Sequence, residues 1–501
     1  MNNKRTLLTL AAAGLASAGA VHAQYTPPPA PEPFAGFINE ALRKDSPAAQ
    51  KWDIGGSLRV RYDVRDGYGI QGLAGSIDFR ENNADTMNDY FLERLRLRLG
   101  YTDQWWGVMG EFQGSYAQSD QRWAYVGKTA ATSYEGRGPE SDMATLHQAY
   151  ATVGNLKEFP LMLKVGRQEM SYGDERLIGA FAWNNIGRTF DAAKVRFQND
   201  WLTADGFVSR PVVPEDLLWN GVNEYDFLSG LYATMKVVPK NSLDVYFLSR
   251  NASSSALTAE PRPQFPQPTA RDIYTIGFRL KSAPGEFGPW DYGLEAFGQF
   301  GNFLDNRAGA PKQRLEQQAY AVVAQGGYTF KETWSKPRLG LTYAHGSGDD
   351  DPTDNKHQTP DNLFPTNHKF YGYADFFSLE NMHDVQLSLT GTPTPRLRVS
   401  LEGHLFWLAE TTDSFYNVGG LARGGALPTP LGNGYGVNPG YDGFVGGEID
   451  LVAGYAITRY AQIEAGYCHF FTGGYIDQSL SSPRFGAQDA NFFYLQMNVN
   501  F

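Results

Sequence analysis

From residue 54 to Phe501, apolar and polar side chains alternate with a period of two in one segment after another. No other feature constrains the fold of this chain as strongly. A β-strand sends successive side chains to opposite faces, so this period makes one face apolar and the other polar. Leu58, Val60 and Tyr62 alternate with Ser57, Arg59 and Arg61, and Leu95, Leu97, Leu99 and Tyr101 with Arg94, Arg96 and Arg98. Further on, Leu294 and Ala296 alternate with Gly293 and Glu295, and Leu397, Val399 and Leu401 with Arg396, Arg398 and Glu402. In the final segment Phe493, Leu495, Met497 and Val499 alternate with Gln496, Asn498 and Asn500. About 18 such segments can be counted, each close to the roughly 9–11 residues a tilted strand needs to cross a bilayer.

A soluble sandwich alternates too, and the connections separate the two folds. Residues 66–89, 117–145, 250–270, 345–377 and 409–445 are long connections, whereas 102–105, 154–160, 239–240, 391–394 and 458–459 are short. Brief turns on one side and extended loops on the other are the habit of outer-membrane barrels. Lipid cannot satisfy free backbone groups, so the sheet must close on itself. The expected fold is all-β: a transmembrane antiparallel up-and-down barrel of about 18 strands, with the strand near Ile54 pairing with that at 491–501. An even count puts both ends of the barrel on the periplasmic side.

Three regions follow. Residues 1–23 read as a signal peptide, with basic Lys4 and Arg5, an apolar run and Val21-His22-Ala23 before the cleavage point. Residues 24–50 read as a Pro-rich periplasmic tail with room for a short helix at 34–43, and 51–501 as the barrel. The expected location is the bacterial outer membrane, in contact with its lipid and lipopolysaccharide. The terminal Phe501 resembles the signal read by the barrel insertion machinery. Net charge is −11, which argues against nucleic acid as a partner, and the single Cys468 excludes a disulfide or a thiolate cluster.

If the apolar set faces lipid, the opposite set faces the lumen, and it is rich in arginine for an acidic protein. It contains Arg59, Arg61, Arg94, Arg96, Arg98, Lys194, Arg196, Arg279, Arg338, Arg396 and Arg398, with the acids Glu111, Glu295, Asp384, Glu402, Glu448, Asp450 and Glu464 among them. Guanidinium offers carboxylates a planar donor fork. Two readings stay open: a pathway for an anionic solute, and ion-pair ladders that merely fill a polar interior. Asp349, Asp350 and Asp351, with Asp354 nearby, are a weak calcium candidate without the spacing of an EF-hand loop. His345, His357 and His368 lack spacing that would fix a metal. No metal, cofactor or catalysis is expected; His404 and Ser400 share a face, with no nucleophile elbow around them.

The segments Lys164-Val165-Gly166-Arg167-Gln168-Glu169, Tyr172-Gly173-Asp174-Glu175-Arg176-Leu177 and Asp191-Ala192-Ala193-Lys194-Val195 resemble the alginate export family of outer-membrane barrels. So does Tyr343-Ala344-His345-Gly346-Ser347-Gly348, leading to His368-Lys369-Phe370 and to 375–381. The resemblance implies an 18-stranded barrel with an electropositive pore for an anionic polyuronate, and adds Arg167 to the pore residues. Strict alternation places Arg167 with Leu163 and Val165 on the lipid side unless Gly166 marks a bulge. One departure stands out. The alginate exporter carries a long periplasmic plug loop among its last three strands, where this chain has only Thr458-Arg459. The expected function is therefore a channel for anionic solutes, including small anions and acidic oligo- or polysaccharides. A gated exporter working with periplasmic partners and a non-specific porin are the alternatives. Loops 117–145 and 409–445 are the expected constrictions.

Overall fold

In the computed structural model the described part of the chain is a closed antiparallel barrel of eighteen strands. Residues 36–68, 79–81, 86–120, 140–215, 219–253, 270–283, 285–305, 313–368, 370–420, 422–423, 435–480 and 486–501 are described. The expected signal peptide, the tail up to residue 35, and residues 121–139, 254–269 and 424–434 of the long connections lie outside them.

The barrel strands are numbered in chain order. The first six are β1 (Trp52–Asp66), β2 (Asn88–Thr102), β3 (Trp106–Gln118), β4 (Asp142–Val153), β5 (Leu161–Gln168) and β6 (Phe190–Gln198). Next come β7 (Leu202–Val213), β8 (Asp226–Met235), β9 (Asn241–Ala252), β10 (Arg271–Ser282), β11 (Trp290–Asp305) and β12 (Gln313–Thr329). The last six are β13 (Arg338–Gly346), β14 (Met382–Thr394), β15 (Leu397–Leu408), β16 (Phe444–Ala456), β17 (Ala461–Thr472) and β18 (Ala490–Asn500). Each pairs with its sequence neighbours, and β1 meets β18 from Ser57↔Asn500 to Asp66↔Asn491. Closure leaves no edge for lipid to expose.

Eight short connections, at 103–105, 154–160, 199–201, 236–240, 283–289, 330–337, 395–396 and 457–460, gather at the end that holds Trp52 and Asn500. Residues 391–394, expected as a turn, instead belong to β14, whose register with β15 shifts between Gly391 and Thr394. Helix α1 (Phe37–Asp45) caps the same end. Asn39 donates to Asp53 (2.9 Å) and accepts from the Ile54 N–H (2.7 Å), and Phe37 rests on Tyr460 and Phe501. Part of the expected tail is thus docked on the inner rim.

The outward face is the apolar one: Leu97, Leu99, Leu341, Leu387 and Leu451 are exposed. Near the inner end it carries Trp52, Tyr101 and Trp106 in contact, and Trp290 against Tyr328. Phe247, Tyr274 and Phe300 stack near the outer end. Aromatic rings at both ends of an apolar band mark the two membrane interfaces.

Two outer connections fold into the barrel. Loop three (169–189) joins β5 to β6, and loop seven (347–381) joins β13 to β14. They pair with each other across the lumen through a parallel bridge between Ile178 and Phe364. Gly179 N donates to Phe364 O (2.8 Å), Phe364 N to Leu177 O (2.9 Å) and Thr366 N to Glu175 O (2.9 Å). Among the described residues loops three and seven narrow the lumen. Part of 409–445 packs on loop seven, with Asn367 donating to Val418 O (2.8 Å). Residues 121–139 and 424–434 of the two connections expected as constrictions lie outside the described residues. The second loop supplies an anchor, with Glu140 accepting from Asn185 N (2.7 Å).

Candidate functional site

Parity on β1 and β2 turns Arg59, Arg61, Arg94, Arg96 and Arg98 inward, and Arg59 lies directly across from Arg94. The patch does not line open water. Arg59 donates to the carbonyls of Ala182 (2.9 Å) and Asn184 (3.1 Å), Arg94 to the same two (3.1 and 3.2 Å), and Arg61 to Trp183 O (2.9 Å). Arg61 also holds Asp63 and lies 3.9 Å over the Trp183 ring, which stacks in turn on His368 (3.8 Å, 6°). A bend of loop three thus points its carbonyls at a guanidinium wall, where each accepts a charge-assisted bond. Arg96 reaches Glu169 (3.0 Å) at the root of the loop, and Arg98 reaches Glu111 (3.1 Å). Burial alone would raise the Glu169 carboxyl, but Arg96, His147 and Arg94 hold it well below the usual range.

A second stretch of wall, separated from the first by β17 and β18, is acidic. Asp384 on β14, Glu402 on β15, and Glu448 and Asp450 on β16 all face inward and are buried, with His404 among them. His404 Nδ1 bonds Asp384 (3.0 Å), and Gln386 donates to Glu402 (2.6 Å). Loop seven lies on this wall. Ala374 N donates to Glu448 (2.9 Å), and a Cβ at Gly372 (φ +87°) would fall 2.5 Å from the same carboxylate, so only glycine fits there. Phe377 stacks on Phe406 at 3.8 Å. Glu464 also faces inward and accepts from Tyr494 and Gln496. Glu295 sits on β11 beside loop three, 3.7 Å from Arg176.

A third stretch of wall is basic, and its Arg196 is more exposed than Arg61, Arg96 or Arg98. Lys164 on β5 lies directly across from Lys194 on β6, and Arg196 follows on the same face. Lys164 sits 3.6 Å over the Tyr150 ring, while Lys194 (3.4 Å) and Arg196 (2.7 Å) share Asp205. On β10, Arg279 meets Asp244 (2.8 Å) and Asp174 (3.3 Å), and Lys281 meets Asp174 (3.1 Å). The Arg196 side chain is 32 % exposed, that of Lys281 16 %. Arg338, paired with Asp291 (2.6 Å), and Arg398 face inward near the inner mouth. Sequence reasoning left Lys164 and Lys281 out of the lumen set, although each shares the parity of an inward neighbour. It also missed Arg188 and Arg250, which tie loop seven. Arg188 donates to Phe364 O (2.6 Å), Pro365 O (2.8 Å) and Gly179 O (3.2 Å). Arg250 and Arg271 both bind Asp361, whose carboxyl burial would raise but the two guanidiniums hold far down.

Several expected positions differ. Arg167 faces outward, not into the pore: it pairs bidentately with Asp191 (2.8 and 3.1 Å) in a cleft of about 600 Å³ beside the exposed Leu146, Val165 and Trp219. Gly166 does take a positive φ (+123°), yet the register runs on unbroken through Arg167↔Asp191, so parity wins. Arg396 sits exposed in the inner turn 395–396 rather than in the lumen. The calcium candidate does not converge: Asp351 accepts from Thr353, Asp354 from Lys356 N, and Asp349 N and Asp350 N point to other partners. His345 belongs to β13 and stacks outside the barrel on His383 (4.5 Å).

The alginate export family model matches residues 54–483, nearly the whole barrel. The chain belongs to the alginate export family. Similar solved structures are Acinetobacter baumannii OccAB3 (10% identity, TM-score 0.53, 90% of this chain and 99% of that one) and OccAB4 (12%, 0.53, 90% and 97%). Pseudomonas aeruginosa OpdQ is similar to the same degree (12% identity, TM-score 0.51, 90% and 97%). At such identities the likeness shows the fold alone. No curated protein matches. For this member of the alginate export family, barrel and family together support an outer-membrane channel.

Proposed function

We propose that the protein is a passive, anion-preferring channel for small solutes, acidic sugars or short acidic saccharides among them, and that it does not thread a long polymer. The carrying observation is the Lys164–Lys194 pair. Like charges directly opposed on neighbouring strands are unfavourable, and here they continue into Arg196, whose side chain is 32 % exposed. The nearby carboxylate Asp205 thins the field, so that an anion can bind and leave. The paired loops narrow the lumen, and the inner turn at 457–460 is too short to form a periplasmic plug that could gate a polymer. In this reading the apolar outer face rests against outer-membrane lipid and lipopolysaccharide, and Phe501 serves the insertion machinery.

Planar-bilayer reversal potentials under a salt gradient test the proposal. Anion preference that falls in a Lys164→Gln, Lys194→Gln double variant supports it. A cation-selective wild type overturns it, and an unselective one favours a non-specific pore in which the arginine–carboxylate pairs cancel.

A further inference from the structure

The acidic wall contains more buried carboxylates than its neighbours can neutralise. Asp384, Glu402, Glu448 and Asp450 are each at most 2 % exposed, and among the described residues the basic side chain enclosed with them is His404. Arg176, a cation of loop three, is engaged with Glu295 and Tyr371. Uncompensated buried charge is expensive unless it is paired or binds a metal.

Three adjacent strands bring a donor set together at this point. Across β15, β16 and β17 the register sets His404 beside Glu448, Glu402 beside Asp450, and Asp450 beside Cys468. One ligand atom each from Glu448, Asp450 and Cys468 lies within 4.8 Å of the others. A second observation points to a ligand. His404 Nε2 is buried without a hydrogen-bond partner and is aimed at Asp450, 3.9 Å away. Its other ring nitrogen is held by Asp384 (3.0 Å). A carboxylate fixing one imidazole nitrogen while the other faces anionic donors is the arrangement that orients a metal-binding histidine.

We propose that His404, Glu448, Asp450 and Cys468 form a four-coordinate site for a zinc-class divalent cation beneath loop seven. One nitrogen, two oxygens and one thiolate suit a borderline-soft tetrahedral ion. Bonds of about 2.0–2.3 Å would set the donors roughly 3.3–3.8 Å apart. Glu448, Asp450 and Cys468 already lie within 4.8 Å of one another and His404 Nε2 is 3.9 Å from Asp450, so binding would draw the four donors, the imidazole included, inward. Glu448 accepts from Ala374 N through Oε1, and its Oε2 has no hydrogen-bond partner, so it can bind metal and loop at once. An ion here would fasten loop seven to the wall. The sequence concealed the site because its donors lie on three strands, far apart in the chain.

The test uses the full chain folded in detergent micelles, stripped with a chelator and titrated with Co²⁺, then with Zn²⁺ in competition. The expected result is saturation at one equivalent, intense visible bands of a four-coordinate ion, and a thiolate-to-cobalt charge-transfer band displaced by Zn²⁺. Cys468→Ser should remove the charge-transfer band. Asp384→Asn, which only orients His404, should weaken binding about 10- to 100-fold, while Glu464→Gln should leave the titration unchanged. Heat-modifiable electrophoretic mobility verifies that each variant is folded, and X-ray absorption on the wild-type Zn²⁺ form reads one sulfur neighbour without any variant. No saturable uptake, or no sulfur neighbour, overturns the proposal and leaves the carboxylates neutralised by protons.

Discussion

Arg188 is the residue whose loss should most change what passes through this barrel. It belongs to loop three, and one guanidinium nitrogen serves the carbonyls of Phe364 (2.6 Å), Pro365 (2.8 Å) and Gly179 (3.2 Å), two of them on loop seven. That nitrogen carries two protons, so only two bonds are counted in full. Hydrogen bonds from a charged donor contribute about 1.5–3 kcal/mol each. Luminal water would rehydrate the freed carbonyls, which reduces the net loss in Arg188→Ala to roughly 2–4 kcal/mol. At about 1.4 kcal/mol per factor of ten, the unlatched population rises about 30- to 700-fold. If the wild-type latch is favoured by about 5 kcal/mol, its open fraction of about 0.0002 grows to between about 0.6% and 15%. Single-channel recording would resolve this as brief excursions to higher conductance, absent from wild type and fewer in Arg188→Lys, which keeps the charge. A folded Arg188→Ala channel with wild-type conductance and noise would refute the idea that the two loops set the aperture.

Three further outcomes are expected. Lys194→Gln should lower anion preference in reversal-potential measurements, since it removes one of the opposed ammonium groups. Arg167→Ala should leave selectivity unchanged, because its side chain lies outside the barrel with Asp191, and a clear shift toward cations would show that it reaches the pore. Glu380, on loop seven, is pushed up to about 8 from 4.5, chiefly by burial and against a hydrogen bond from Ser378. The docked loop therefore keeps a proton that a released loop would give up. Docking should be firmest below about pH 4.5 and weaken through about pH 8, by roughly 1.4 kcal/mol per pH unit at most. Conductance noise should rise between pH 5.5 and 8.5 in wild type and stay flat in Glu380→Gln.

The barrel was legible because lipid on one face and water on the other force a two-residue period on every strand. The β1–β18 seam and the inward set from Arg59 to Glu464 follow from that parity. Arg167 shows the limit of motif reasoning, since its family match suggested the pore while its place in the alternation gave the outward face the structure shows. Arg396 lay beyond the strand end, where parity stops applying. The inward fold of 169–189 carries no periodic signal. Its cause is tertiary, in the guanidiniums of β1 and β2 that donate to its carbonyls and in a parallel partner 186 residues away, Phe364 opposite Ile178.

The two charged walls explain how irregular backbone can fill a barrel at membrane depth. Such a segment has no sheet ladder of its own, and each buried N–H or C=O without a partner is costly. Loop three meets the arginine wall with carbonyls, those of Ala182, Trp183 and Asn184. Loop seven meets the acidic wall with an N–H, that of Ala374. Each loop therefore presents the polarity its wall can satisfy, and a donor wall cannot stand in for an acceptor wall. Charges that look from sequence like a lining for solute are largely engaged in holding the plug. The positions left to act on a passing anion are Lys164, Lys194 and Arg196, and of the pair on Asp205 Arg196 is the more exposed. Substitutions at these positions should alter selectivity with less effect on loop three, which touches this wall through Tyr172 on Asp205. Substitutions at Arg59 or Arg94 should do the reverse, raising conductance noise before they alter selectivity. If Arg59→Ser shifted the reversal potential while leaving the noise at the wild-type level, this division of labour between the walls would be wrong.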